Sequence, residues 1–393
     1  MKMMMMKMIM MLMMIMIMTI MTMTNGYRHS WNRVSTKTSR ILSSSADEYG
    51  FSDVIVSALL NSPLYNPIVN TAKNTMVKAA QTAGVDWMGN LTYLSQTASI
   101  NWDNNVENII KEKPGLITPD YYKKRFHGYE DGNLEIKAAI EQELAGRAVG
   151  ARNFPNDGYK GEDRLRKCYD DSILEIAGSI VPNNCTIVDF GCGTGTSTRR
   201  LAKLFPQANK VIGFDLSPHM LAVGRYLMNN NNNFNWVEKI DKDDRITLQY
   251  EDIANTKLPD ESVSFVSICF VLHELPNDAT VSILTEAHRI LEPGGTLSIL
   301  EMDPSTPGFK ALRSSPFVFS ILSSTEPYLK DYFRLAPNLN NILNSIGFPV
   351  QRMNQATGRH FNVVAHKGGI KDFRSFKTTI DEHVSSSIKN YQT

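Results

Sequence analysis

Two hydrophobic periodicities divide the chain. From about residue 52 to Arg152, apolar positions recur every three to four residues, as on helices with one buried face. The stretch VSALLNSPLYNPIVNTAKNTMVKAAQTAG predicts a helix with Gly84 as its stop. Sequence rich in Asn, Asp and Pro, through NWDNN and KEKPG, predicts a loop. NLEIKAAIEQELAGRAVGARNF predicts another helix, with Asn133 as its cap and Leu134, Ala138, Ile140 and Leu144 on its buried side. The turn-rich run NFPNDG, Asn153 to Gly158, then marks an expected boundary.

Beyond that boundary the period changes. Short β-branched runs alternate with helical stretches: CTIVDF, TRRLAKLFP, KVIGFD, HMLAVGRYLM, ITLQY, VSFVSICFVL, SILTEAHRIL and TLSILEM. This alternation predicts βαβ units and a mostly parallel sheet with both faces covered, an α/β fold. FPVQRMNQ and HFNVVAHK flank a turn at Ala356–Arg359 and predict a C-terminal antiparallel hairpin. The Asn run 229–233 is a low-complexity surface loop between a helix and a strand. The organisation expected is a targeting segment at 1–46, a helical region at 52–152, an α/β domain at 157–370 and a tail at 371–393.

Composition alters this picture chiefly at the N-terminus. Residues Met1 to Ile20 are almost all Met and Ile, and most of the chain's 20 methionines lie there. The first acidic residue is Asp47, and Arg28, Arg33, Lys37 and Arg40 punctuate a Ser/Thr-rich stretch before it. A basic, hydroxyl-rich, acid-poor leader has the composition of an organelle transit peptide. The Met/Ile run is also long enough to serve as a membrane anchor. An organellar address is therefore expected, with a membrane-anchored or a cytoplasmic chain as alternatives. Elsewhere the numbers exclude more than they select. A net charge of +1 without a basic stripe argues against nucleic acid as the partner. The four cysteines (Cys168, Cys185, Cys192 and Cys269) form no CxxC pair. They and the scattered histidines show no metal-ligand spacing, so no metal is expected.

The chemistry concentrates in VDFGCGTGTS, Val188 to Ser197. A strand ends at Phe190, a turn carries Gly191, Gly193 and Gly195, and a helix opens near Thr196. Glycines there let a ligand approach the main chain, and the helix start offers free N–H groups. Asp189 precedes the first glycine by two residues. A carboxylate at that place repels a pyrophosphate and suits an ammonium group, so a ligand with an amino-acid end is favoured over NAD. The competing role for Asp189 is to tie down the loop. Asp215 ends the next strand, 20 residues after Gly195, where an acid accepts ribose hydroxyls or caps the following helix. In YEDIANTKLPDESVS, Asp252 follows a third strand, placed to accept from an adenine amino group while Ile253 covers the ring.

Three acids at successive strand ends, together with the glycines, resemble the class I S-adenosylmethionine-dependent methyltransferases. Asp189 to Gly195 matches that family's D-x-G-x-G-x-G loop. LPDESVSFVSICFVLHEL matches its fourth strand and the motif after it, and RILEPGGTLSILEMD its fifth strand with the preceding L-x-P-G-G turn. VLHELP and LEPGGTL resemble the ubiquinone/menaquinone-biosynthesis type. The sequence departs from that type after Asp303. There STEPYLKDYF, like the N-terminal helical region, is similar to methyltransferase-domain proteins of photosynthetic organisms, which favours a plastid over a mitochondrion. The resemblance spans about Lys160 to Lys367. It implies a Rossmann-like seven-stranded sheet and S-adenosyl-L-methionine as cofactor. It places the cofactor on Asp189, Gly191, Cys192, Gly193, Thr194, Gly195, Asp215, Leu216, Met220, Asp252, Ile253 and Phe270.

The activity expected is methyl transfer to a small-molecule acceptor, lipophilic or aromatic. Alternatives are an NAD-linked oxidoreductase, a nucleic-acid methyltransferase, and a cofactor-binding assembly or regulatory factor without turnover. His273 and Glu274 follow the fourth strand, where open α/β sheets place their active sites. His273 is the candidate base for a phenol or enol, and Glu274 either holds the cofactor side or caps the next helix. Weaker candidates are Glu301, Asp303, Glu326, Tyr328, Arg359, His360, and His127, Tyr129 and Glu130 of RFHGYED.

Overall fold

The computed structural model describes residues 65–96, 100–177, 181–229 and 242–368. The expected targeting segment, the Met/Ile run, nearly all of the Asn run and the C-terminal tail lie outside the described residues. No helix among the described residues is long and apolar enough to cross a membrane.

The chain divides into two compact units. One comprises Met1–Asn70 and Ser305–Ser324, and the other Thr71–Pro304 with Thr325–Thr393. The elements, in chain order, begin with helices α1 (Tyr65–Thr82), α2 (Trp87–Gln96), α3 (Trp102–Glu112), α4 (Ile136–Asn153) and α5 (Gly161–Ala177). Then come β1 (Thr186–Phe190), α6 (Thr196–Leu204), β2 (Lys210–Asp215), α7 (Pro218–Asn229), β3 (Ile246–Tyr250), β4 (Val263–Cys269), α8 (Asn277–Ile290) and β5 (Leu291–Met302). After β5 lie α9 (Pro307–Arg313), α10 (Pro316–Thr325), α11 (Leu329–Leu335), α12 (Leu339–Ile346), β6 (Val350–Gln355) and β7 (His360–His366).

The seven strands form one sheet in the order β3-β2-β1-β4-β5-β7-β6. β1 to β5 run parallel, and β7 joins β5 and β6 antiparallel. The sheet expected from the sequence is thus present, hairpin included. Its strand order reverses between β1 and β4, and such a switch point opens a crevice at the carboxyl ends of the strands. β4 is buried along its whole length, as its uninterrupted apolar run requires of a central parallel strand. One sheet face packs against α5 and α6 through Leu165, Tyr169, Ile173, Leu201 and Phe205. On the helical side, Ala138, Ala139 and Ile140 of α4 pack with Met220, Val223 and Leu227 of α7.

Gly84, at φ +89°, follows the end of α1 as expected of a stop signal. Two local expectations are corrected. NWDNN is not a loop: it opens α3. Asn101 caps that helix by accepting from the Asn104 backbone N–H at 2.9 Å, and Val106 and Ile109 are buried beneath it. The Asn-rich composition concealed a cap followed by an amphipathic turn. Asn133, in turn, is not the cap of α4. It lies in a 3₁₀ turn, Gly132–Leu134, and Glu135 takes the cap position. The Asn133 side chain is engaged across the crevice instead.

Candidate functional site

The glycine loop joins β1 to α6. Gly191, Gly193 and Gly195 all have positive φ, at +69°, +54° and +85°. A Cβ at Gly193 would lie 2.1 Å from Gln142 Nε2, so the Gln142 side chain would have to move aside. Asp189 is fully buried beneath the loop, and its Oδ2 accepts from the hydroxyls of Ser197 and Thr198, both at 2.7 Å. Its Oδ1 has no hydrogen-bond partner among the described residues. Burial pushes the carboxyl up to about 6, against the opposing effect of those hydroxyls. The loop-tying role is therefore present in the geometry.

Asp215 is buried at the end of β2. Its Oδ2 accepts from Gly193 N–H at 2.8 Å; its Oδ1 accepts from Ser217 N–H at 2.8 Å and from the Tyr122 hydroxyl at 3.1 Å. Burial raises this carboxyl as well. Asp252 follows β3, and its Oδ1 accepts from Ala254 N–H at 2.8 Å, with Ile253 buried beside it. Leu216, Cys192 and Met220 are buried. The Met220 N–H donates to Ser217 Oγ, and Met220 packs in the α4–α7 cluster. Phe270, at φ +58°, sets its ring edge-on to His360 at 5.3 Å. Asp189 thus lies beneath the glycine loop and Asp215 holds its Gly193 N–H, while Asp252 stands at the end of the neighbouring strand β3. Such a donor-seeking set fits an amino group, a ribose and an exocyclic amine, and it is unfit for a pyrophosphate.

Residues of the helical region close over this loop, and sequence reasoning missed them. Gln142 Oε1 accepts from Thr194 N–H at 2.7 Å. Glu143 accepts from the Thr194 hydroxyl and pairs with Arg199 at 2.7 Å. Asn133 donates to Glu274 at 2.9 Å, and its backbone carbonyl accepts from the Ser217 hydroxyl. Tyr122 completes the set. The one available signal was the run of three polar side chains in EQE, Glu141 to Glu143, between apolar stretches of the helix.

A second group lies beyond the ends of β4 and β5. His273, in the 3₁₀ turn Leu272–Glu274, is buried, with Nδ1 at 2.9 Å from both carboxylate oxygens of Glu301. Glu301 is fully buried on β5 and also accepts from the backbone N–H groups of His273 and Met302. Burial opposes charge on His273, but the Glu301 carboxylate outweighs it and raises the imidazole's basicity well above the ordinary value. Glu274, raised to about 7 by burial, faces Asn133. It neither caps α8 nor pairs with His273 directly, since Pro276 holds the cap position. His127 and Glu326 join this group, with His127 Nε2 3.8 Å from Glu326 Oε1. One ligand-capable atom from each of His127, His273 and Glu326 lies within 4.8 Å of the others. Positions so far apart in the chain have no spacing by which the sequence can announce them.

The remaining candidates serve other contacts. Tyr129 bonds Glu141, which also pairs with Lys73; Glu130 pairs with Arg125 at 3.5 Å; Tyr328 donates to the Tyr121 carbonyl. His360 bonds Thr357 at 2.7 Å, and the Asp303 N–H donates to the Arg359 carbonyl.

Residues 187–295 match the family model described as a methyltransferase domain. The demethylmenaquinone methyltransferase of Staphylococcus epidermidis is 33% identical over 133 residues, covering 34% of this chain and 49% of that protein. The Bacillus licheniformis demethylmenaquinone methyltransferase is 31% identical over 170 residues, covering 41% and 66%. The chain thus spans about half to two thirds of the length of the curated relatives it matches. Among solved structures, human N-acetylserotonin methyltransferase in complex with S-adenosylmethionine is similar at 16% identity and a TM-score of 0.40, over 70% of this chain and 69% of that one. Over residues 187–295 the chain is thus similar to the class I S-adenosylmethionine-dependent methyltransferases, in their menaquinone type, and S-adenosylmethionine is the cofactor that this domain takes.

Proposed function

We propose that the protein transfers a methyl group from S-adenosylmethionine to a small-molecule acceptor bearing an acidic hydroxyl, of the quinol or phenol class. The observation that carries this reading is the buried His273–Glu301 pair at the carboxyl ends of β4 and β5, β4 being the neighbour of the strand that leads into the glycine loop. The names of the matched relatives support a quinone-type acceptor.

S-adenosylmethionine, when bound, supplies an electrophilic methyl group on a sulfonium. Asp189 Oδ1 would receive its ammonium end, Asp215 the ribose hydroxyls, and Asp252 the adenine amino group. Ile253 and Leu216 exclude water from the ring and ribose. His273, with Nδ1 fixed by Glu301, takes the acceptor's hydroxyl proton on Nε2 when the ring is neutral; because Glu301 favours the imidazolium, the fraction of active base grows as pH rises above neutrality. The rest of the rate comes from alignment and the exclusion of water.

The test is calorimetric titration of the full chain with S-adenosylmethionine, S-adenosylhomocysteine and NAD, followed by labelled-methyl transfer to a panel of quinols and phenols. Binding of the first two alone and label in a quinol or phenol are the expected results. Binding without labelled product would favour an assembly or regulatory role, and binding of NAD alone would end the methyltransferase reading.

We further propose that the basic Ser/Thr-rich leader directs the chain to an organelle, a plastid before a mitochondrion, and that the Met/Ile run gives any membrane association. Sequencing the mature N-terminus checks this: an intact Met1–Ile20 run refutes cleavage.

A further inference from the structure

We propose that His127, His273 and Glu326 form a site for one divalent transition-metal ion at the acceptor end of the crevice, an inference that rests on the acceptor-site reading above. The three side chains bring one ligand atom each to within 4.8 Å of one another. Bonds of about 2.0–2.2 Å put neighbouring ligand atoms roughly 3.4 Å apart around a tetrahedral ion, so closure needs side-chain movements of about 1 Å.

Three further observations point to a cation. The first is the bond from His273 Nδ1 to Glu301 at 2.9 Å. It fixes the ring and leaves Nε2 to bind, and a carboxylate behind a histidine is the usual support of a metal-bound imidazole. The second is Glu326, whose Oε2 is buried with no hydrogen-bond partner among the described residues. A buried carboxylate oxygen without a partner is costly, and a bound cation removes that cost. The third is the charge balance. Glu301 is in contact with His273 and Glu326 lies 3.8 Å from His127, so each imidazole has a carboxylate beside it.

The backbone holds the arrangement together. His127 has φ +50°, a conformation that a non-glycine residue keeps only where its surroundings impose it. Its N–H donates to the carbonyl of Thr325 at 2.8 Å, which fixes it beside the residue preceding Glu326. Two imidazoles and one carboxylate suit zinc, cobalt or ferrous ion better than magnesium or calcium. Three protein ligands leave a position open, and the half-exposed side of His127 gives access to it. An acceptor hydroxyl bound there would ionise with the ion as Lewis acid, its O–H bond breaking, the electron pair staying on oxygen and the proton passing to water. With the ion bound, His273 Nε2 is a ligand, and the ion takes over the activation of the hydroxyl that His273 performs in the metal-free chain.

The experiment strips the full chain with a chelator and titrates it with Co²⁺, following visible d–d absorption and bound cobalt by elemental analysis. One equivalent is expected. His127→Ala and Glu326→Gln should each weaken binding at least tenfold, and Glu301→Gln by about 10–100-fold. His288→Asn, on α8 outside the cluster, should leave it unchanged. Far-ultraviolet circular dichroism verifies that each variant is folded. Substoichiometric cobalt, or equal affinity in folded His127→Ala and Glu326→Gln proteins, overturns the inference. Parallel titration with S-adenosylmethionine separates the two readings. Cofactor binding without cobalt leaves the methyltransferase reading standing and this one refuted, and cobalt without cofactor supports the ion site while refuting the reaction assigned to it.

Discussion

Asp189→Asn separates the folding cost of a buried acid from its use. The carboxyl has no exposure and is pushed from 3.8 to about 6 by burial. A shift of about 2 pH units corresponds to roughly 3 kcal/mol. The sign follows from the direction of the shift. The folded pKa lies above the unfolded one, so the cost is absent below about pH 4, grows between pH 4 and 6, and is complete above 6. Asn preserves the shape and one acceptor for Ser197 and Thr198, but leaves an amide N–H with no partner where Oδ1 stood, at about 1–3 kcal/mol. At pH 7.5 the variant, free of cofactor, should equal or exceed the wild type in stability; at pH 4 it should fall below it. The stability difference should move by about 2 kcal/mol between the two conditions, roughly 1 M in urea midpoint at a slope of about 2 kcal/mol/M. Cofactor affinity should fall at least tenfold, because a neutral amide does not replace a charge-assisted bond to an ammonium group. Urea unfolding at both pH values and calorimetry with S-adenosylmethionine make the test. A stability difference that stays flat with pH would refute the raised buried acid. Unchanged affinity would leave Asp189 with the loop-tying role alone.

Other substitutions probe the same frame. Asp215→Ala should weaken S-adenosylmethionine binding about 100-fold or more in calorimetry, since it removes the carboxylate assigned to the ribose along with the acceptor that holds Gly193 and Ser217 N–H. Gly193→Ala should destabilise the fold by about 1–3 kcal/mol in urea, from its positive φ and the collision with Gln142; Gln142→Ala in the same chain should recover only the part due to the collision. His273→Ala should lower kcat about 10²- to 10⁴-fold in the labelled-methyl assay, with cofactor affinity within about twofold of wild type. Asn101→Ala should cost about 1 kcal/mol of stability by loss of the α3 cap, without changing methyl transfer.

What the sequence made legible follows from how local the causes are. Strands β1 to β5 and the glycine loop were readable because β-branched runs, turn glycines and strand-end acids each act within a few residues. The hairpin β6–β7 was readable from its two alternating runs around Ala356–Arg359. Helix α3 was not, because a run of Asn and Asp looks the same whether it caps a helix or fills a loop, and only the burial of Val106 and Ile109 decides between them. Asn133 misled for the opposite reason. Its side chain satisfies the cap pattern locally, yet the acid of Glu274, 141 residues onward, competes for its amide and holds it. The pair His273–Glu301 was visible as two candidates but not as a pair, since their contact depends on β4 and β5 being neighbours in the sheet. His127 and Glu326 come together because a backbone bond from His127 to Thr325 joins two segments about 200 residues apart in sequence, bringing the side chains to 3.8 Å.

The contacts between the helical region and the cofactor loop bear on how the cofactor enters. Asp215 Oδ1 has two lone pairs, and Ser217 N–H and the Tyr122 hydroxyl use both. A ribose hydroxyl donating to that oxygen therefore requires Tyr122 to give way. The same holds for Thr194 N–H, which Gln142 occupies in front of the loop. Each of these is a neutral donor or acceptor exchanged for an equivalent group of the ligand, so the hydrogen-bond count is conserved as one set replaces the other. The exchange is thus cheap in bonds, and its energetic direction is set by charge. In the binding mode proposed above, the ammonium group would bring Asp189 Oδ1 a partner that the described residues do not supply. On this argument the amino-acid end of S-adenosylmethionine provides the net favourable term, while the ribose end is nearly balanced against Tyr122.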